Sequence, residues 1–454
     1  MNKEELFERM PISQAAIKLG LPTVLSSLVM VAYNLADTWF VGYLNDPVQN
    51  AAVTFAAPVL LAFNAVNNLF GVGVSSAMSR ALGMKDYDTV RKSSSFGFYF
   101  SIFSGLLFSL VYILFQSSYL KVLGAFAENA VATADYMFWT VALGAAPSIL
   151  NVVISSMVRA EGGAFHASVG VMSGCVLNII LDPFFILPFG LNMGVAGAGL
   201  ATFISNCAAC IYYLIYIYKK KDQTFVCINP GMMLPGRKNV MDICSVGIPA
   251  SIQNLLNVTG MAILNNFTAA YGSNAVAAMG ISHKLHIIPV HVVFGMFQGI
   301  MPLIGYNYAS GNIRRVKDVV RFSMVYGIST ISIITAIFYY YSSQLTGLFI
   351  DNALVIAYGS SFLKGMVLAM PFLCMDFLAV AMFQSCGKGT LSFVFAVLRK
   401  IILEIPAILF LDKLFPLYGL AYSQLVTEIV MAIIAFYSIQ QFFKRIKEKT
   451  LLQK

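Results

Sequence analysis

Two aspartates, an asparagine and a threonine carry the most informative chemistry in this 454-residue chain. Asn178 and Asp182, in the hexapeptide NIILDP, are spaced i, i+4 and so share one side of a helix. Asp37 lies about seven residues before a polar break at Asn45. Asp182 lies about as far before the break near Gly190, and Thr202 about as far after it. At a rise of about 1.5 Å per residue, these three fall about 10 Å from one surface of the layer their helices cross. Two carboxylates, an amide oxygen and a hydroxyl form an oxygen-only set, suited to a hard cation such as Na+ and unsuited to a transition metal. Without a metal ion, two carboxylates in a poorly solvated pocket repel one another and become a proton-carrying pair. A purely structural account has Asp182 capping a break at Pro183 and Asp37 bonding a neighbouring backbone, which needs a separate explanation for each aspartate.

The elements that position these groups are membrane spans. Hydrophobic residues make up 59% of the chain and charged residues 11%, a balance foreign to soluble domains. Apolar segments long enough to cross a bilayer fall near 15–44, 50–80, 93–116, 131–156, 166–187, 195–218, 242–270, 275–305, 322–345, 355–383, 390–411 and 419–443, giving 12 expected transmembrane helices. The start, MNKEELFERMPISQ, lacks a basic region followed by a cleavable apolar one, so the first span is expected to remain. With the N-terminus inside, 23 of the 29 Lys and Arg fall in cytoplasmic segments, and only Lys121 and Lys413 fall in outer loops. The net charge of +9 therefore reports topology, and no nucleic-acid partner is expected. The expected setting is a membrane crossed many times, with both termini cytoplasmic. Seven cysteines, mostly within spans, outline no disulfide framework, and Cys207 and Cys210 are read as packing residues despite their CxxC spacing.

The halves repeat. Gly20–Pro22 (GLP) corresponds to Gly247–Pro249 (GIP), Asn50–Val53 (NAAV) to Asn274–Ala277 (NAVA), and Phe70–Gly73 (FGVG) to Phe294–Phe297 (FGMF). Further on, Pro147 corresponds to Pro371, IILD (Ile179–Asp182) to IILE (Ile401–Glu404), and Gly199–Ala201 to Gly419–Ala421, the offset drifting only between about 220 and 227. An even six spans per half makes these parallel repeats. The predicted fold is an all-α integral membrane protein of two six-helix lobes around a central cavity. The N-lobe covers 1–218 and the C-lobe 239–454, joined by a basic, Pro- and Gly-containing linker at 219–238. This architecture suits alternating access. Across the repeat, Asn178 maps to Lys400, Asp182 to Glu404, Asp37 to Leu264 and Thr202 to Tyr422. Lys400 stands one turn from Glu404 and can neutralise it, so the cation site is expected in the N-lobe alone.

Taken together, YNLADTWFVG (Tyr33–Gly42), LGMKDYDTVRK (Leu82–Lys92), RAEGG (Arg159–Gly163), NIILDP, GVAGAGLAT (Gly194–Thr202) and SGNIRRVK (Ser310–Lys317) resemble the multidrug and toxic compound extrusion (MATE) family, in its bacterial MepA-like branch. The resemblance covers essentially the whole chain. It implies a bacterial inner (plasma) membrane protein that exports organic, often cationic compounds by antiport with Na+ or H+, and a cation site at Asp37, Asn178, Asp182 and Thr202. The NorM-type branch also uses acids in spans 7 and 10. Here the span 7 position is Asn257, while span 10 keeps Asp376, for which substrate contact and pairing with Lys364 or Lys284 are equally open. Tyr33, Asn34, Asn151 and Met30 are weaker candidates for substrate contact.

His283, Lys284, His286 and His291 cluster in span 8, where they would tune proton coupling or, as the plainer reading, line a wet cavity or bond across helices. Arg399 is expected to pair with Glu428. No HExxH, GxSxG or Walker loop is present, so neither an enzyme nor ATP-driven transport is expected. No cofactor is expected beyond the coupling ion, and a monomer is expected. The alternative function is a lipid-linked oligosaccharide flippase of the same superfamily, which would favour a large basic cavity.

Overall fold

The computed structural model describes residues 3–122 and 127–452, and these are helical almost throughout, with no strand among them. The helices are α1 (Ile12–Tyr43), α2 (Pro47–Gly83), α3 (Tyr87–Val122), α4 (Ala127–Met137), α5 (Ala145–Ala160), α6 (Ala164–Ile186), α7 (Val195–Lys219), α8 (Arg237–Ala269), α9 (Ser273–Ala309), α10 (Ile313–Tyr340), α11 (Ser342–Gly347), α12 (Ala353–Leu368), α13 (Met370–Ser385), α14 (Gly389–Val397), α15 (Ile405–Leu414) and α16 (Tyr418–Leu452).

Helix starts follow local chemistry. Asp46 caps α2, accepting from Val48 N at 2.9 Å, and Pro47 occupies the first helical position, where its missing N–H is harmless. Asn312 caps α10 through Arg315 N at 3.2 Å, and Asn352 caps α12 through Leu354 N and Val355 N, both at 3.1 Å.

Among the described residues, eight single helices are long and apolar enough to cross a membrane. The bent pairs α4–α5 and α12–α13, angled by 49° and 43°, raise that number to ten. The remaining two expected spans are helical as well. The segment 242–270 lies in α8, where Gln253, Asn254, Asn257, Asn265 and Asn266 dilute the apolar character. The segment 390–411 is split into α14 and α15 by a π-helical run, Leu398–Glu404, that carries Arg399, Lys400 and Glu404. The chain is an all-α, multi-pass membrane protein.

Two compact units divide the chain inside helices. One comprises Met1–Phe7 and Leu25–Ser251, the other Glu8–Val24 and Ile252–Lys454. The cuts in α1 and α8 fall just beyond Pro22 and Pro249, which interrupt the helical hydrogen bonds at matching points of the repeat. In the first unit, the opening turns of α8 pack on α2: a Cβ at Gly73 would lie 2.6 Å from Ile243 O, and Ser251 Oγ donates to Ala65 O at 2.5 Å. In the second, the opening turns of α1 pack on α9, where a Cβ at Gly299 would lie 2.6 Å from Gly20 Cα. Small residues permit both close approaches, the usual basis of helix packing where lipid offers no hydrophobic drive.

The segment after α7 also belongs to the first unit. Thr224 Oγ1 and Phe225 N donate to Glu161 at 2.6 and 2.8 Å, and Lys3 Nζ pairs with the same carboxylate at 2.6 Å. Ser95 Oγ and Tyr99 OH of α3 donate to Cys227 O and Ile228 O, each at 2.9 Å.

Candidate functional site

The site in the first unit is built on the hairpin of α6 and α7. Leu191 N, Met193 N and Gly194 N donate to Phe184 O, Phe185 O and Ile186 O at 2.7, 2.8 and 3.3 Å, folding the connection back on the end of α6. Gly194 has φ +57°, and a Cβ there would collide with the Gln49 side chain, so glycine is required. Gln49 Oε1 then accepts from Val195 N at 2.8 Å, fixing the start of α7 seven residues before Thr202. Further along the hairpin, Gly174 lets α6 approach α7 at Ser205 and Ala209.

Asn178 and Asp182 are both buried, at 1% and 0% exposure. With its nitrogen facing the carboxylate, the Asn178 amide donates to Asp182 Oδ2 at 2.9 Å and accepts from Thr202 N at 3.0 Å and Thr202 Oγ1 at 3.3 Å. Asp37 is half-buried on α1, and its Oδ1 is buried without a hydrogen-bond partner among the described residues. Asp182 lies within electrostatic reach of Asp37, and Tyr136 within reach of both aspartates. The Tyr33 phenol stands beside Asp37 and against the Thr202 side chain. The structure thus brings the four predicted oxygen-bearing residues together and adds two tyrosines. Tyr33, expected at the substrate, stands with the carboxylates. Tyr136 left no sequence signal, because α4 reaches the site through the bend at Gly144, a tertiary feature.

Among the weaker candidates, Asn34 is exposed, and its backbone oxygen accepts from Thr38 Oγ1 at 2.8 Å. Asn151 of α5 is engaged elsewhere, its Nδ2 donating to Asn206 Oδ1 at 3.0 Å. Cys207 and Cys210 are free thiols, and Cys210 Sγ faces Pro147 O at 3.3 Å. Among the described residues, no group of three or more His, Cys, Asp or Glu could hold a metal ion.

The second unit is built differently at the corresponding place. Lys400 Nζ donates to both Glu404 oxygens at 2.7 and 2.6 Å. Gly260 of α8 makes room for this pair, since a Cβ there would lie 3.1 Å from Lys400 Nζ and 3.2 Å from Glu404 Oε1. Leu264, in the place of Asp37, is buried in an apolar cluster with Met279, Phe362 and Leu420. Asp376 is buried at 1% exposure, and its neighbouring cation is Arg399, with Nε 3.7 Å from Oδ2. The sequence leaves Asp376 open between substrate contact and pairing with Lys364 or Lys284; the cation beside it is Arg399, brought to α13 by the π-helical run, while the Lys364 ammonium sits 5.5 Å over the Tyr339 ring. Arg399 Nε also donates to Glu428 Oε1 at 2.6 Å, as expected. His283 stands near Lys400 and Glu404, and His286 is buried nearby.

A protein-family model, MatE, matches residues 22–184 and again 249–410, two segments set apart by the interval of the repeat. The chain is similar to the multidrug export protein MepA of Staphylococcus aureus strain MRSA252, at 33% identity over 439 residues, covering 96% of this chain and 95% of that protein. MepA of Staphylococcus saprophyticus is 30% identical over 438 residues, with the same coverage. Among solved structures, an outward-facing multidrug resistance MATE family transporter of the MOP superfamily superposes with a TM-score of 0.93, at 24% identity over 99% of both chains. A mutant of the Vibrio cholerae MATE transporter VcmN superposes at 0.89, with 21% identity over 96% and 98% of the two chains. Matched in both halves by the family model and over nearly its whole length by MepA, the chain belongs to the MATE family of membrane transporters.

Proposed function

We propose that this protein is a secondary active multidrug efflux transporter, exporting organic, often cationic compounds by antiport with Na+ or H+ through alternating access. The observation that carries the reading is the asymmetry between the units. One holds a buried and a half-buried carboxylate within electrostatic reach of one another, with an amide and a hydroxyl, and the other fills the equivalent place with a carboxylate bound to its own lysine. The first arrangement needs an external positive charge, and the second carries its own. The multidrug export activity named for the MepA relatives supports the choice of cargo.

Both ions are accommodated by the same groups. With the Asn178 nitrogen toward Asp182, the carboxylate is an acceptor served by the amide. Asp182, with lone pairs left beyond that bond, and Asp37 Oδ1, without a partner among the described residues, can take either a proton or a cation. In the cycle, the site loads its ion from outside, which offsets the negative charge shared by Asp37 and Asp182 and releases the compound outward. The return step then delivers the ion to the cytoplasm, both termini lying on that side. Coupling requires the ion to bind the two states of the transporter unequally.

The test is efflux from proteoliposomes with Na+ and pH gradients imposed separately, for the wild type and for Asp37→Asn and Asp182→Asn. Wild-type efflux is expected to follow one of the two gradients, and each substitution is expected to remove at least nine-tenths of the ion-driven rate, about 1.4 kcal/mol added to the barrier. Ion-driven efflux at the wild-type rate in both variants would sink the assignment.

A further inference from the structure

A hydrogen-bonded amide pair stands one turn along α7 from the candidate ion site. Asn206 follows Thr202 by four residues, about 6 Å further along the helix, in the direction of the bilayer middle. Its Nδ2 donates to Thr202 O at 3.0 Å, and its Oδ1 accepts from Asn151 Nδ2 at 3.0 Å. Asn151 Oδ1 is buried and has no partner among the described residues.

These contacts fix which end of each amide points where. Thr202 O can only accept, so it takes the Asn206 nitrogen, and the Asn206 oxygen faces α5. Asn151 must answer with its nitrogen, which leaves its own oxygen presented with nothing to accept from. A buried carbonyl oxygen without a donor costs about 1–3 kcal/mol, and such an atom within a transport protein calls for an explanation.

We propose that Asn151 Oδ1 is an acceptor subsite for an N–H donor of the transported compound, a protonated amine in particular, and that Asn206 is the positioning residue that holds it in the accepting orientation. This rests on the export reading above and specifies which cations the transporter prefers. The amide attracts the donor without a fixed charge, so it adds no carboxylate to the membrane interior. Through the Thr202 backbone, the subsite is tied to the residue whose hydroxyl meets Asn178. A change in the ion site is thereby felt where the amine binds.

The test compares two cationic probes in proteoliposomes: dansylcadaverine, whose ammonium carries N–H donors, and tetraphenylphosphonium, which has none. Asn151→Leu is expected to raise KM for dansylcadaverine about tenfold, the loss of one hydrogen bond from a charged donor. It should leave KM for tetraphenylphosphonium and the ion dependence of transport unchanged. Asn206→Leu is expected to shift the preference the same way by a smaller factor, because the Asn151 amide is then free to turn. Equal changes for the two probes, or none for either, would overturn the inference while leaving export intact. A wild-type protein that moved neither probe would overturn the export reading and the inference with it.

Discussion

At the residue scale, the two units meet the same problem, a carboxylate on a helix inside a membrane, in opposite ways. In the first unit Asp182 accepts from a neutral amide, and in the second Glu404 is held by both hydrogen bonds of Lys400. Removing one partner of a buried ion pair strands the other, at a cost of about 3–5 kcal/mol, whereas replacing both by apolar side chains is often close to neutral. Lys400→Met is therefore expected to lower the melting temperature in detergent clearly, and the double variant with Glu404→Met to recover most of that loss. Neither should alter the ion dependence of efflux, because this pair is self-sufficient. A double variant as unstable as the single one would mean that Lys400 acts through Arg399 and Glu428, which share its surroundings.

At the scale of elements, the α6–α7 hairpin decides whether the oxygen-bearing residues meet. Its critical point is Gly194, whose positive φ and contact with Gln49 exclude a side chain. Gly194→Val should store about 1–3 kcal/mol of backbone strain and displace Gln49 from Val195 N. Thr202 then moves relative to Asn178, so the ion concentration for half-maximal efflux is expected to rise severalfold, even in protein that still folds. An unchanged ion dependence would show that the turn is tolerant. Asn178, Asp182, Asp37 and Thr202 were legible in the sequence because helical spacing and depth are local arithmetic: four residues make a turn, and seven residues make about 10 Å. Tyr136 and the pairing of Asp376 with Arg399 were not. The first depends on the bend that aims α4, the second on the π-helical run that turns Arg399 toward α13, and neither follows from spacing along one helix.

At the scale of the whole molecule, the repeat was legible as matched motifs, and the family model falls on the same two segments. What the motifs concealed is that each unit borrows the opening of a helix from the other half of the sequence. Residues 8–24, which include the opening turns of α1, belong to the second unit, and the opening turns of α8, up to Ser251, to the first. Hydropathy treats a long helix as one object, whereas Pro22 and Pro249 divide each into parts with different neighbours. The consequence can be tested by splitting the chain after Met233, in the irregular segment before α8. The fragment 234–454 lacks residues 8–24, so Gly295 and Gly299 of α9 lose the backbone they approach. The fragment 1–233 lacks the turns of α8 that cover Leu69 and Gly73 of α2. Each fragment expressed alone is expected to aggregate on extraction. Co-expression should restore a monodisperse complex with ion-driven efflux, because no pairing within either unit requires the broken peptide bond. A 234–454 fragment that purified alone as a stable, monodisperse species would show that the second unit does not depend on α1.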